Sequence, residues 1–196
     1  MLISKNHLKT RWTASKDSTR PILTTIQLRT EGDEVVSVAT DGYILSEVRD
    51  HTPAADEFPN VTDGISITEA RVLATTAATI SAAIKKNSIS VLNYAHVGSD
   101  GVTVTNLEQT QQFKDVPVEG TYPRYQQLIP TSYQAKAVVT INPAYLEKLL
   151  KVFKGEDSVM LEIHGPLSPV VLRAAHGELT ITGIVMPLKS LTDSSR

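Results

Sequence analysis

The chain has no cysteine. That excludes disulfide frameworks, thiolate nucleophiles, iron-sulfur clusters and cysteine-ligated zinc together, and it fits a reducing compartment. Long apolar runs are also missing: nowhere do about 18 uninterrupted apolar residues occur, the length a membrane-spanning helix needs. Residues 1–6 lead into charged positions without the apolar stretch of a secretory signal. Charge of one sign is lacking too, since 19 Lys+Arg face 21 Asp+Glu for a formal net charge of -2. The chain is therefore neither a basic tail nor an acidic solvating segment. These absences lead to the expectation of a cytoplasmic, non-membrane protein, in which the Asn60-Val61-Thr62 sequon arises by chance.

The usual signatures of an enzyme are absent as well. There is no Gly-rich phosphate loop, no His-Glu-x-x-His helix and no nucleophile-elbow pentapeptide. The five histidines, His7, His51, His96, His164 and His176, fall in predicted turns and strand ends without metal-ligand spacing, so each reads as a surface residue. Asp56-Glu57 and Glu156-Asp157 are adjacent acidic pairs. Neighbours in sequence point apart, so they read as solvated surface and not as an acid/base pair. No catalytic residue, cofactor or metal is expected.

What is present is a repeated pattern. With 41% apolar residues, the 196-residue chain can fill one large core or two small ones. Its punctuation marks three units, each a short strand, one helix and then two or three strands. The third is plainest: a β-branched run at 137–141, an Asn142-Pro143 helix start, and Tyr145, Leu146, Leu149, Leu150 and Phe153 at helical spacing up to Gly155. Strands are predicted over 158–163, 169–174 and 178–185. In the second unit a strand at 64–67 precedes a helix over 70–86 that starts at the Ser66/Glu69 capping box and carries a Val72, Leu73, Ala77, Ile80 and Ile84 stripe. Strands at 89–94, 102–105 and 112–118 and a short helix at 122–128 follow. The first unit reads as a strand over 1–4, a short helix over 7–15, and strands over 22–29, 34–39 and 43–48 joined at Glu31-Gly32-Asp33. Residues 51–63 form the linker. Such repeats point to an α+β fold with helices on one face of antiparallel sheets.

Each predicted helix carries positive charge on its polar side. Lys5, Lys9, Arg11 and Lys16 mark the first, Arg71, Lys85 and Lys86 the second, and Lys148, Lys151 and Lys154 the third. Lysines occur on any surface helix. They become candidate DNA-binding residues if the three helices share one surface, where phosphate contacts add.

Three stretches carry a family resemblance. Val38-Ala39-Thr40-Asp41-Gly42-Tyr43-Ile44-Leu45 resembles a strand-turn segment of the bacterial β sliding clamps, the processivity factors of DNA polymerase III. Tyr122-Pro123-Arg124-Tyr125-Gln126-Gln127-Leu128-Ile129-Pro130 resembles the family's F-P-x-Y-x-x-(L/V)-(L/I)-P connector, and Val185-Met186-Pro187-Leu188 resembles its V-M-P-M ending. Asn142-Pro143-Ala144-Tyr145-Leu146 and Gly165-Pro166-Leu167-Ser168-Pro169-Val170 also match the family's final half-domain. The matches occur in order and extend from Arg20 to Lys189.

The resemblance implies a DNA-clamp (processivity-fold) architecture of half-domain repeats. It places residues 1–131 as one clamp domain of two half-domains, 1–51 and 64–131, similar to the family's middle domain. Residues 135–189 are then a single half-domain similar to the C-terminal half of the last domain, and 190–196 a polar tail. The family's peptide pocket lies between its middle and last domains, and its positions match Thr40, Gly42, Tyr43, Leu45, Pro130, Val185, Met186, Pro187 and Leu188. Tyr43-Ile44 and Leu188-Lys189 replace the family's usual His-Arg and Met-Arg, so peptide preference is expected to differ. Packing and turn formation alone also explain these residue types.

The implied function is that of a non-enzymatic processivity factor on duplex DNA, without sequence readout, with polymerase or other clamp-motif proteins and a clamp loader as partners. Three halves per chain put the usual dimeric ring in question. Self-assembly is expected, with a tetramer of twelve halves or pairing of two third units as the options. The alternative is a peptide-binding adaptor or decoy that does not encircle DNA, and the weakest reading is an unrelated α+β enzyme.

Overall fold

The computed structural model describes residues 1–59, 67–129, 138–176 and 179–188. The chain divides into two compact units, Met1–Arg124 and Tyr125–Arg196.

The first unit runs through one element order twice. β1 (Leu2–Ser4) leads into a 3-10 helix, His7–Thr13, a 3-10 turn, Pro21–Thr24, and then β2 (Thr25–Glu31), β3 (Glu34–Thr40) and β4 (Leu45–His51). β5 (Glu69–Leu73) leads into α1 (Ala74–Ala83), a 3-10 turn, Ser90–Asn93, and then β6 (Tyr94–Gly98), β7 (Gly101–Thr105) and β8 (Thr110–Phe113). The sheets do not follow that repeat. One is ordered β4-β3-β2-β5 and the other β1-β6-β7-β8, so each repeat lends its first strand to the sheet of the other. The pairings are antiparallel, with Ile3 opposite Ala95 and Ile26 opposite Val72.

This exchange produces one core out of two repeats. Ile3, Leu8, Ile26, Leu28 and Val35 of the first repeat pack with Val72, Ala77, Ile80, Ala95 and Val97 of the second. The 3-10 helix His7–Thr13 packs against α1. Burying one such aliphatic side chain contributes about 1.5–3 kcal/mol.

Several elements differ from the sequence-based expectation. The helix expected over 70–86 is shorter: residues 69–73 are strand β5, and the helix covers only Ala74–Ala83. Hydrogen bonding to β2 overrides the Ser66/Glu69 capping signal, of which Ser66 lies outside the described residues. Residues 90–93 form a 3-10 turn within the expected strand 89–94, and β8 ends at Phe113 where a strand to 118 was expected. The helices expected at 7–15 and 122–128 are 3-10 helices at His7–Thr13 and Tyr125–Leu128.

In the second unit α2 (Pro143–Leu150) starts where the Asn142 carboxamide oxygen accepts the Ala144 N–H at 2.9 Å. It continues as a 3-10 turn, Lys151–Phe153, and is followed by β9 (Met160–Ile163), β10 (Val170–His176) and β11 (Leu179–Val185) in the order β11-β10-β9. A small core gathers Phe153, Val170, Leu172, Ala174 and Val185, with Val139, Ile141, Leu146 and Leu149 against it. Gly183 allows the close approach, because a β-carbon there would meet Leu149 Cδ1 at 2.6 Å. The strand expected at 137–141 is not formed over 138–141, and residue 137 lies outside the described residues. A β-branched run needs a hydrogen-bonding neighbour as well as propensity to become a strand.

His7 corrects the surface reading of the histidines, because it is fully buried. Its Nδ1 accepts the Ser4 N–H at 3.0 Å, so Nε2 carries the proton and donates to the Val35 carbonyl at 3.0 Å. The ring is neutral, and burial pushes its pKa below the usual 6.5 against smaller opposing effects of Val35, Asp50 and Ser4. The folded state therefore binds fewer protons than the unfolded chain as pH falls through 6.5, and stability is lost in that direction. Urea unfolding should show a midpoint that falls from about pH 7 to about pH 5.5, and the fall should be smaller in His7→Gln. Equal pH slopes for the two proteins would contradict this.

Candidate functional site

In the first unit the matched turn follows β3. Thr40 is buried, and its hydroxyl donates to the Ile44 carbonyl at 2.6 Å while accepting the Gly42 N–H at 3.0 Å. Asp41 Oδ1 accepts the N–H groups of Tyr43 at 2.8 Å and Ile44 at 2.9 Å. The N–H of Ile44, then that of Tyr43, hold the Asp41 carboxyl below the usual carboxylate range. Gly42 has φ of 100°, in the left-handed region, and a β-carbon there would stand 3.2 Å from an Arg20 guanidinium nitrogen. All this bonding turns side chains outward: Tyr43 is 91% exposed and Ile44 is also exposed, while Leu45 at the start of β4 is half-buried. Ile44, noted in the sequence only as a departure from the family pattern, stands beside Tyr43 as a second exposed apolar side chain of the turn.

In the second unit the matched ending follows β11. Val185 is buried in the core, so of the four candidates it serves packing. Met186 is 62% exposed and Leu188 exposed, with Pro187 half-buried between them. The Leu188 N–H donates to the Thr140 carbonyl at 2.8 Å, which fixes the course of this segment. Pro130 lies outside the described residues. Each unit thus offers a pair of exposed apolar side chains on hydrogen-bonded backbone, a chemistry suited to an extended apolar peptide.

The cationic candidates divide differently from their sequence grouping. Lys5, Lys85 and Lys86 come together with Ser4, Asn6, Ile84 and Asn93 around a hollow of about 250 Å³. They arrive from positions just after β1 and just after α1, not from the body of a helix. Lys9 and Lys16 are exposed nearby in sequence. Arg11 donates to the Leu8 carbonyl at 2.8 Å and lies 4.6 Å from the centre of the exposed Trp12 ring. Arg71 corrects the helix assignment: it sits on β5, donates to the Val118 carbonyl at 3.2 Å and approaches Glu69 at 3.7 Å. In the second unit Lys148, Lys151 and Lys154 are exposed, and Lys151 pairs with Glu147 at 3.2 Å. Among the described residues no group of three or more acidic or histidine side chains is placed to hold a metal, and no helix is long and apolar enough to cross a membrane.

No family model matches the chain. The β sliding clamp of Micrococcus luteus is 33% identical over 128 residues, which are 64% of this chain and 37% of that protein. Among solved structures, the DNA polymerase sliding clamp from Bacillus subtilis superposes with a TM-score of 0.66 at 16% identity, covering 95% of this chain and 48% of that one. The C. crescentus β sliding clamp gives 0.65 at 20% identity, covering 95% and 50%. The chain therefore spans well under two thirds of the curated relative and about half of the solved clamps.

The turn geometry makes its own prediction. Gly42→Ala forces an L-residue into the left-handed region and should destabilise the first unit by about 1–3 kcal/mol, read from urea unfolding. An unchanged midpoint would show that the turn has another low-energy form. The chain is thus similar in sequence to a bacterial β sliding clamp and carries an α+β clamp fold of antiparallel sheets over about half the length of the solved clamps.

Proposed function

We propose that the chain is a reduced sliding clamp, a non-enzymatic processivity factor that holds duplex DNA without reading sequence and tethers partner proteins by a short apolar peptide. The observation that carries this reading is the lysine hollow. Lys5 and Lys85-Lys86, far apart in sequence, converge on one surface of a unit with the clamp fold. Ammonium groups there meet phosphates as point charges, which gives attraction without base recognition and a grip loose enough to slide. Lys9 and Lys16 in the first unit and Lys148 and Lys154 in the second are exposed, and in this reading they meet further phosphates. Arg71 and Lys151 are already engaged with Val118, Glu69 and Glu147, and contribute less.

In this reading residues 1–131 act as a counterpart of the middle clamp domain and 135–189 as half of the last one. Tyr43, Ile44 and Leu45 in the first unit, and Met186, Pro187 and Leu188 in the second, contact clamp-motif peptides of a polymerase or repair protein. Thr40, Gly42 and Val185 hold the backbone that presents them. A loader acts on the assembly if closure around DNA is needed.

A second reading has its own support: the formal net charge of -2 is modest for a protein that must hold a polyanion. In it the chain is an adaptor that binds the same peptides and competes with a full clamp. Retention on circular but not linear DNA supports the clamp, and peptide binding with no DNA retention supports the adaptor.

Two sets of variants separate the surfaces. Lys85→Glu with Lys86→Glu should weaken duplex retention and flatten the slope of log affinity against log salt by about 2, while peptide affinity holds. Tyr43→Ala and Met186→Ala should together weaken a clamp-motif peptide at least tenfold, which is about 1.4 kcal/mol, and leave DNA association intact. Both residues are exposed, so unfolding midpoints should not move. Loss of both ligands in both sets of variants would refute separable surfaces.

A further inference from the structure

Among the described residues the second unit repeats half of the element order of the first. In the first unit the strand that opens each repeat, β1 or β5, pairs with the strand that follows the helix of the other repeat, β6 or β2. The inward residues of those acceptor strands are consequently sealed: Ile26, Leu28 and Ala95 are all 0% exposed. β9 occupies the corresponding place after α2, and among the described residues its edge away from β10 has no strand beside it. Leu161 and Ile163 lie opposite Leu172 and Val170, so they point to the same face as two buried core residues. Yet they are 57% and 48% exposed.

The opening segment has the complementary deficiency. Residues 138–141, Val-Val-Thr-Ile, lie beside the end of their own sheet through the Thr140 carbonyl and Leu188 N–H, much as β1 meets β4 through Ser4 and Asp50 at 3.4 Å. They take no strand partner among the described residues. The helix is bare as well: the 3-10 helix His7–Thr13 covers α1 in the first unit, whereas Tyr145, Leu150 and Val152 along α2 and its extension stand exposed.

We propose that two copies of this chain join through their second units by reciprocal strand exchange, each lending residues 138–141 to β9 of the other across a two-fold axis. The β5–β2 pairing, whose strand leads into an α-helix as residues 138–141 lead into α2, supplies the register: Leu73, which caps α1, lies opposite Thr25, the first residue of β2. The β1–β6 pairing, which leads into a 3-10 helix, is shifted by two residues, with Ser4 and not the cap Asn6 opposite Tyr94. Applied to Asn142, which caps α2, and Met160, which opens β9, the β5–β2 register puts Ile141 opposite Leu161, Thr140 opposite Glu162 and Val139 opposite Ile163. The side chains agree with it. Val139 and Ile141 pack on the core and Leu161 and Ile163 share its face, so the exchanged strand continues the core where it is now open. An isologous contact of this kind closes on itself and removes a free strand edge.

The test is the solution mass of the full 21.3 kDa chain by light scattering at tens of micromolar, with two variants. The wild type should have an even number of copies, and Leu161→Lys with Ile163→Lys should halve that number while far-UV circular dichroism is kept. Since the chain has no cysteine, a mixture of Thr140→Cys and Glu162→Cys chains should form a disulfide only between different chains. That cross-link decides the matter if the lysine variant fails to fold. A monomeric wild type, a mass unmoved in a folded lysine variant, or no cross-link would overturn the proposal. Neither DNA nor peptide enters the experiment, so its failure and failure of the processivity reading are distinguishable.

Discussion

A strand that leaves its own repeat to complete another's sheet is the constraint on which the first unit depends. Neither repeat can close a core alone, because Ile26 and Leu28 need Val72 beside them and Ala95 and Val97 need Ile3. Backbone hydrogen bonds and apolar burial are gained together when both strands cross. The sheet boundary therefore cuts across the chain order, and the two repeats of the first unit share one core.

That scaffold also explains what the surface can offer. β1 and α1 come from different repeats, yet the crossing brings their ends to one place, so Lys5 meets Lys85 and Lys86 around a single hollow. Local bonds hold the Thr40-Asp41-Gly42 turn, and Tyr43 and Ile44 remain exposed on it. Exposed apolar groups on rigid backbone lose little entropy when a peptide arrives. In the second unit Val185 anchors the segment in the core and Met186 and Leu188 are left outside.

Much of this was legible in the residues. The Gly32-Asp33 turn, the Asn142-Pro143 helix start and the alternation in β10 and β11 are local signals, and local physics decides them. β5 was not legible, since Val72 and Leu73 continue the apolar stripe of Ala77 and Ile80 and only pairing with β2 makes them a strand. Arg71 was placed on a helix for the same reason. The run at 138–141 shows the opposite failure: the propensity is present, and among the described residues no strand pairs with it. His7 was missed because a lone histidine carries no sign of the Ser4 and Val35 groups that receive it. Of the proposed contact residues, Val185 looked like pocket lining by motif, while its place at an inward position of β11 makes it core.

The interdependence of the two repeats can be measured directly by native-state hydrogen exchange. If strand crossing holds the first unit together, the amides of residues 2–4 and 94–98 should open with the same free energy as those of 25–29 and 69–73, and that value should equal the unfolding free energy of the first unit. Exchange in which residues 25–51 stay protected while 94–113 open at much lower cost would contradict the account.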